Sequence, residues 1–181
     1  MMRLTRISLL AVFILCAASP SGFAQDRPIA DGSPIQWPSF HDALSAASES
    51  GRMIIIDIFA PTCGWCRKMQ KEVYTKTDLQ EYVFDTFEIG RIDLSINDDT
   101  ISFKGLDLSS AQLAAAFGAT GTPTTIFLEP NGDYITRLPG YHAHEEFLDV
   151  LQFIGRHSFR EMSFTDYLSK KRAALPLVHS N

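Results

Sequence analysis

The chain has 181 residues, of which 45% are hydrophobic and 20% charged, and its net charge is −5 at pH 7. These proportions are typical of a globular chain and exclude a collagen, a low-complexity disordered segment and a multi-pass membrane protein. The acidity and the lack of a long basic run argue against a nucleic-acid surface, because nothing would neutralise a row of phosphates. We therefore expect proteins or small molecules as partners.

The first 24 residues have the features of a secretory signal peptide. Two arginines precede an apolar stretch over residues 7–18, which breaks at Pro20 and is followed by small residues up to Ala24. That stretch is shorter than the ~20 residues needed to cross a bilayer, so we expect cleavage after Ala24 and no permanent membrane anchor. Cleavage would remove Cys16 and leave Cys63 and Cys66 as the two remaining cysteines. The exported chain would then be in a compartment where disulfides persist.

The rest of the chain predicts one α/β domain with short additions. The predicted helices cover residues 39–50, 67–74, 77–85, 109–117 and 144–157, and the predicted strands cover residues 53–60, 87–94, 124–129 and 133–138. Residues 25–38 are rich in Pro, Gly and Ser and predict an extended lead-in, and residues 95–108 predict an inserted loop or small hairpin. This order fits a mixed sheet between helices over residues 39–160. A C-terminal extension follows over residues 161–181, where residues 163–171 form either a last helix or a frayed tail.

Three local patterns give sharper expectations. In a capping box, a Ser or Thr side chain caps the helix and a Glu or Gln three residues later bonds back to it. Thr77 with Gln80, and Ser109 with Gln112, have this spacing. Between the last two predicted strands, Asn131-Gly132 indicates a hairpin turn.

The segment Cys63-Gly64-Trp65-Cys66 carries the chemistry. It follows a strand and opens a helix, where free N–H groups and the helix dipole favour a negative charge and should lower the pKa of the Cys63 thiol. Cys66 lies one turn further in, close enough to form a disulfide while its sulfur stays less exposed. We predict that Cys63 attacks a substrate disulfide and that Cys66 resolves it. Gly64 would let a substrate backbone approach, and Trp65 would offer an apolar surface beside the sulfur.

Other interpretations of a single C-x-x-C pair are weaker. A structural zinc site needs four ligands, and the sequence has neither a second cysteine pair nor histidines at the right spacing. We expect His142 and His144 to be solvated at a helix entrance, so no metal is predicted. Covalent haem requires a His where Arg67 stands. A passive structural disulfide remains possible, although so tight a loop gains little stability. The sequence shows no flavin or nucleotide motif, and the expected redox group is the cysteine pair itself.

Two segments resemble the thioredoxin superfamily. They are Asp57 to Lys68, with the cysteine pair, and Gly121-Thr122-Pro123-Thr124, and the likeness covers about residues 39–156 in the right order. The resemblance implies a thioredoxin-like fold and a thiol–disulfide oxidoreductase similar to secreted bacterial reductases of the periplasm. It also implies a cis Pro123 facing the cysteines, with Thr122 and Pro123 pairing with substrate strands. Taken alone, Thr-Pro before a strand predicts only a turn.

Asp57 is the second informative residue. An acid among isoleucines loses hydration unless it has a partner or a function. The family carries a buried acid six residues before the first cysteine, where it accepts the proton of the second thiol, and burial raises its pKa. The alternative is that Asp57 reaches solvent at the end of its strand.

Departures from the family pattern keep the direction of the reaction open. Thr62 and Trp65 stand where cytoplasmic thioredoxins carry Trp and Pro, and the motif lacks the His of strong periplasmic oxidants. The leading hypothesis is a monomeric reductase of protein disulfides, re-reduced by a membrane-embedded thiol carrier. An oxidase or isomerase of the same fold is the second hypothesis, and a binding module or chaperone with an inert cysteine pair is the third.

Overall fold

A computed structural model describes residues 28–96 and 99–174. The expected signal peptide, residues 1–24, lies outside the described residues. The helices are α1 (Phe40–Ser50), α2 (Gly64–Glu72), α3 (Thr77–Thr86), α4 (Ser110–Ala116), α5 (His144–Gly155) and α6 (Phe164–Ala174), with a 3₁₀ turn at Ser158–Arg160. The strands are β1 (Met53–Phe59), β2 (Phe87–Asp93), β3 (Ile101–Phe103), β4 (Leu106–Leu108), β5 (Thr124–Leu128) and β6 (Tyr134–Pro139).

The main sheet is mixed and has four strands in the order β2-β1-β5-β6. β1 runs parallel to β2 and antiparallel to β5, and β6 is antiparallel to β5. This architecture confirms the expected α/β fold with a mixed central sheet flanked by helices. β1 is buried along nearly its whole length, which explains its almost continuous isoleucine sequence.

The two faces of the sheet carry separate apolar clusters. On one face, α1 and α4 pack against Ile54, Ile56 and Ile58 of β1. On the other face, α2, α3, α5 and α6 pack around the alternating residues Met53 and Ile55. Asp57 has the same parity as Met53 and Ile55, so its side chain belongs to the face covered by α2.

The capping predictions had different outcomes. Ser109 and Gln112 form the expected box at α4, with reciprocal bonds of 3.3 and 2.9 Å. The box at Thr77 is wrong, because α3 starts at Thr77 itself and its cap residue, Lys76, makes no side-chain bond. Gln80 is instead buried, and its side-chain amide forms hydrogen bonds with three backbone groups. These are the N–H of Gly32 and the carbonyls of Ser33 and Tyr74, at 2.7 to 3.0 Å.

The remaining local expectations are largely confirmed. Residues 95–108 contain an antiparallel hairpin, β3–β4, whose Phe103 packs edge-on against Phe40 of α1 at 5.2 Å. The turn between β5 and β6 contains Gly132 in the left-handed region at φ 80°. Residues 164–174 form a helix, which decides between the two expectations for that segment. Within residues 28–96 and 99–174, no helix is long and apolar enough to cross a membrane.

Candidate active site

The cysteine pair is built by the turn from β1 into α2. The N–H of Cys63 donates to the carbonyl of Ala60 at 3.0 Å, and Cys63 is the N-cap of α2. Its Sγ accepts the N–H of Cys66 at 3.0 Å. The two residues are joined by a disulfide, with their Cα atoms 5.2 Å apart.

The two cysteines differ in exposure. Cys63 is partly exposed, whereas Cys66 is only 2% exposed. Free N–H groups at the start of α2 favour a negatively charged Cys63 sulfur once the disulfide is reduced, and the first turn of α2 contains no acidic residue to oppose it. The arrangement can therefore present the Cys63 sulfur to a partner while the Cys66 sulfur stays buried.

An apolar cleft lies beside the cysteine pair. Trp65, Thr122, Pro123, Gly140 and Tyr141 line it. The Thr122–Pro123 peptide bond is cis, as the family resemblance implied. The structure thus brings together three of the four expected substrate-binding residues, while Gly64 is exposed at the start of α2, outside this lining.

Sequence reasoning missed Tyr141, which shares a cleft wall with Trp65. Their ring centroids are 5.5 Å apart, and the ammonium of Lys68 lies over both rings, at 5.2 Å from the Trp65 centroid and 4.8 Å from that of Tyr141. The Tyr141 hydroxyl donates to Glu72 at 3.1 Å. Trp65 itself is 58% exposed, so the wall offers apolar surface to a partner. The aromatic residue directly after Gly140 was the available signal in the sequence.

Asp57 is 1% exposed, so the alternative in which it reaches solvent is wrong. Its Oδ2 accepts two bonds from the Arg91 guanidinium, at 3.0 Å from Nε and 2.7 Å from Nη2. Its Oδ1 accepts the Tyr74 hydroxyl at 3.4 Å. Burial raises the pKa of Asp57 above its ordinary value, although the charge and hydrogen bonds of Arg91 and the bond from Tyr74 oppose that rise.

Arg91 and Tyr74 were not singled out from the sequence. Arg91 lies directly opposite Asp57 in the parallel register of β1 and β2, and it follows the buried residues Phe87 and Ile89 at the alternating positions of its strand. A charged residue in that position was the signal that could have identified it. Burial and the neighbouring Asp57 charge raise the pKa of Tyr74, so its hydroxyl stays protonated and remains a donor.

Cys66 and Asp57 belong to the same layer. Cys66 and Met69 are the buried residues of α2, and a spacing of three places them on one side of the helix. Met69 packs in the cluster on the sheet face to which Asp57 belongs. The buried Cys66 side chain therefore faces the layer that contains the buried carboxyl.

The two histidines near the cleft are less exposed than the sequence indicated. The His142 side chain is 18% exposed with Nδ1 3.1 Å from Glu146, and that of His144 is 24% exposed with Nε2 3.0 Å from Asp78. His144 thus contacts α3, whereas His142 contacts α5 and, through Nε2, the Pro139 carbonyl at 3.1 Å. Across the described parts of the chain, no group of three or more His, Cys, Asp or Glu side chains is placed to hold a metal ion.

The mixed four-stranded sheet, with a disulfide at the start of α2 directly after β1, is the arrangement of a thioredoxin-type protein. Comparison with known proteins supports this class. Residues 40–155 match the family model of the thioredoxin-like domain, so the chain belongs to that family. This membership and the Cys63–Cys66 pair support a thiol–disulfide oxidoreductase in general.

Solved structures share the fold at low sequence identity. A thioredoxin-fold protein from Helicobacter pylori is 24% identical with a TM-score of 0.55, over 68% of this chain and 81% of that one. A thioredoxin from Thermus thermophilus is 22% identical with a TM-score of 0.56, over 67% and 88%. A putative disulphide-isomerase from Bacteroides thetaiotaomicron is 24% identical with a TM-score of 0.54, over 72% and 98%.

One curated relative is an uncharacterized protein of Caenorhabditis elegans. It is 28% identical over 104 residues, which are 57% of this chain. The match spans 14% of the length of that relative.

Proposed function

We propose that the chain reduces protein disulfides in the periplasm, after export by its N-terminal segment, with Cys63 as the attacking sulfur and Cys66 as the resolving one. The observation that carries the proposal is the asymmetry of the pair. Cys63 caps α2 beside the Trp65 and Pro123 cleft, whereas Cys66 is buried towards the layer of Asp57.

The first half of the reaction joins the chain to its substrate. The Cys63 thiolate attacks one sulfur of a substrate disulfide, the substrate S–S bond breaks, and one substrate thiolate leaves and takes up a proton. A mixed disulfide between Cys63 and the substrate remains. Thr122 and Pro123 would present backbone to the substrate strand, with Gly64 allowing its approach and Trp65 covering its apolar side.

The second half releases the substrate. Asp57 accepts the proton of the Cys66 thiol, and the Cys66 sulfur attacks Cys63 Sγ. The mixed disulfide breaks, the second substrate thiolate leaves and is protonated, and the Cys63–Cys66 disulfide forms. Two electrons have then passed from the chain to the substrate. The structure has this oxidised form of the pair, and a separate thiol donor, by family analogy a membrane-embedded carrier, would reduce it again.

Insulin reduction in the presence of dithiothreitol, followed as precipitation of the insulin B chain, tests the activity. We expect the wild-type chain to accelerate it and Cys63→Ser to abolish the acceleration. Reduced Cys66→Ser, freed of dithiothreitol and then mixed with a substrate disulfide, should accumulate a covalent mixed disulfide that added thiols release. An equilibrium titration against glutathione tests the direction. A potential more oxidising than that of the periplasmic pool would contradict a reductase and favour an oxidase. If Cys66→Ser trapped no partner, the chain would be a binding module.

A further inference from the structure

Trp37 lies in the extended lead-in before α1, and the proposed reaction does not use it. Its ring packs edge-on against Tyr74, with centroids 5.0 Å apart, and the Arg91 guanidinium carbon lies 5.0 Å from its centroid. Its indole N–H donates to Gln70 of α2 at 3.3 Å. Trp37 therefore contacts both side chains that hydrogen-bond to Asp57 and is tied to the helix that carries the cysteines.

The Arg91 guanidinium is held between two aromatic rings. Phe59, at the end of β1, is 4.2 Å from the guanidinium carbon, and Trp37 is the second ring. Rings that hold a cation by its faces leave its N–H groups free to donate in the plane. Two of these N–H groups, Nε and Nη2, donate to Asp57 Oδ2. The rings thus limit the ways in which Arg91 can turn away from the carboxyl.

Trp37 also borders a surface cleft. Trp37 and Arg91 line that cleft together with His41, Asp93 and Asp99. The Arg91 side chain is 20% exposed, whereas Asp57 behind it is buried. Removing the indole would admit water beside the guanidinium and towards the carboxyl.

Within residues 28–96 and 99–174, the charged group bonded to the carboxyl is Arg91. Arg91 comes from β2, Tyr74 follows α2, and α2 also carries Cys66 on its buried side. From β5 the residue opposite Asp57 is Thr125, which is buried and uncharged. The other titratable groups of the cleft, His41, Asp93 and Asp99, line it together with Trp37 and Arg91.

We propose that Trp37 is a positioning residue that packs on Arg91 and Tyr74 and keeps water from the Asp57 carboxyl, so that Asp57 takes up the Cys66 proton near neutral pH. The last clause rests on the proposed function, whereas the effect on Asp57 does not. The lead-in is then part of the active site, although it contributes no group that touches the reacting atoms.

The direct test is a ¹³C NMR titration of the Asp57 carboxyl in the oxidised chain, which needs no enzymatic activity. In Trp37→Ala, Phe59 and the two bonds to Asp57 still hold Arg91. We therefore expect the midpoint to fall by about one pH unit, because water replaces the indole and stabilises the carboxylate. Trp37→Phe keeps a ring over Arg91 and Tyr74 and should change the midpoint by less than about 0.3 unit. An unchanged or raised midpoint in Trp37→Ala would overturn the inference. Trp37→Gln, which also admits water, carries the same expectation and replaces Trp37→Ala if that variant does not fold.

A kinetic cycle separates positioning from a general structural effect. In the wild-type background, Trp37→Ala should slow insulin reduction at pH 7 by about threefold to tenfold and move the acid limb of the pH profile to lower pH. In the Asp57→Asn background, the same change should cost less than about twofold, because no carboxyl remains to position. Equal losses in both backgrounds would overturn the inference. If the wild-type chain reduces no insulin, the proposed function fails, and the titration still decides what Trp37 does to Asp57.

Discussion

The pKa of the Asp57 carboxyl is determined by opposing influences. Its partners on the neighbouring strand and after α2 favour the charged form, and its burial favours the neutral form. Burial outweighs the partners, so the pKa is raised. A buried carboxyl with a raised pKa is a stronger proton acceptor than an ordinary aspartate, which suits it to receive a thiol proton near neutral pH.

The raised pKa of Asp57 predicts a pH-dependent stabilisation by Asp57→Asn. The unfolded carboxyl ionises at about pH 4, and the folded one at higher pH, so ionisation costs the wild-type chain stability as the pH rises through the folded pKa. Asparagine does not ionise, so the Asp57→Asn chain does not lose stability in this way. The advantage of Asp57→Asn should therefore be small below about pH 4 and grow with pH, by about 1.4 kcal/mol for each unit that the pKa is raised.

Urea denaturation at a series of pH values measures this difference. Asp107→Asn, at an exposed position of β4, is the control and should follow the wild-type curve. An advantage of Asp57→Asn that is the same at pH 4 and pH 8, or that shrinks with pH, would show that the pKa of Asp57 is not raised.

At the scale of elements, the lead-in is tied to the domain more firmly than its composition indicated. Ile35 is buried in the cluster on the α2 face, and the Pro38 carbonyl accepts the N–H of Arg91 at 2.9 Å. Gln80 adds three bonds between α3, the lead-in and the residue that follows α2. The sequence could not show this, because a Gln three residues after a Thr has the spacing of a capping box whether or not its side chain turns inward.

Gln80→Ala should lower the free energy of unfolding by about 2 to 4 kcal/mol, because it removes three hydrogen bonds of a buried side chain and leaves the buried Tyr74 carbonyl without that partner. The matched control is Gln112→Ala in the exposed capping box of α4, which should cost less than about 1 kcal/mol. Urea denaturation, fitted with the same m-value for both variants, measures the two changes in the free energy of unfolding. Equal losses in the two variants would mean that the Gln80 bonds do not anchor the lead-in.

The turn between β6 and α5 supplies one wall of the cleft, through Tyr141. Tyr141→Ala should raise the KM for a protein disulfide by about twofold to tenfold with little change in kcat, since an aromatic pair contributes about 0.5–1.5 kcal/mol. Tyr134→Ala, at an exposed position of β6, is the control. Steady-state insulin reduction gives both constants, and an unchanged KM for Tyr141→Ala would separate this cleft from substrate binding.

At the scale of the whole molecule, the sequence was sufficient to predict local structure but not contacts between distant parts of the chain. The strand sequence of β1, the cap at Ser109 and the cysteine spacing were enough to predict the fold and the cysteine pair. Arg91 and Tyr141 join the site through strand register and a turn, so their roles depend on distant parts of the chain. Single-sequence patterns carry periodicity but not the pairing of one strand with another, which is why these partners were missed.

The C-terminal helix α6 belongs to the same core as the sheet. Tyr167 is 7% exposed and lies 5.3 Å from Phe153 of α5. Tyr167→Ala should lower the free energy of unfolding by about 2 to 4 kcal/mol, because it leaves a cavity under α6. Tyr134→Ala, a tyrosine that is 46% exposed, should cost much less. Equal small losses measured by urea denaturation would show that α6 folds as an appendage.

The reactivity of Cys63 tests the central claim most directly. We would reduce the chain, alkylate it with iodoacetamide across pH 4 to 10, and follow Cys63 and Cys66 separately by peptide mass spectrometry. A helix-capping sulfur predicts that Cys63 reacts faster than Cys66 and reaches half its maximal rate well below the ~8.5 of a free cysteine. A Cys63 that reacted no faster than Cys66, with a midpoint at or above that of free cysteine, would contradict the account.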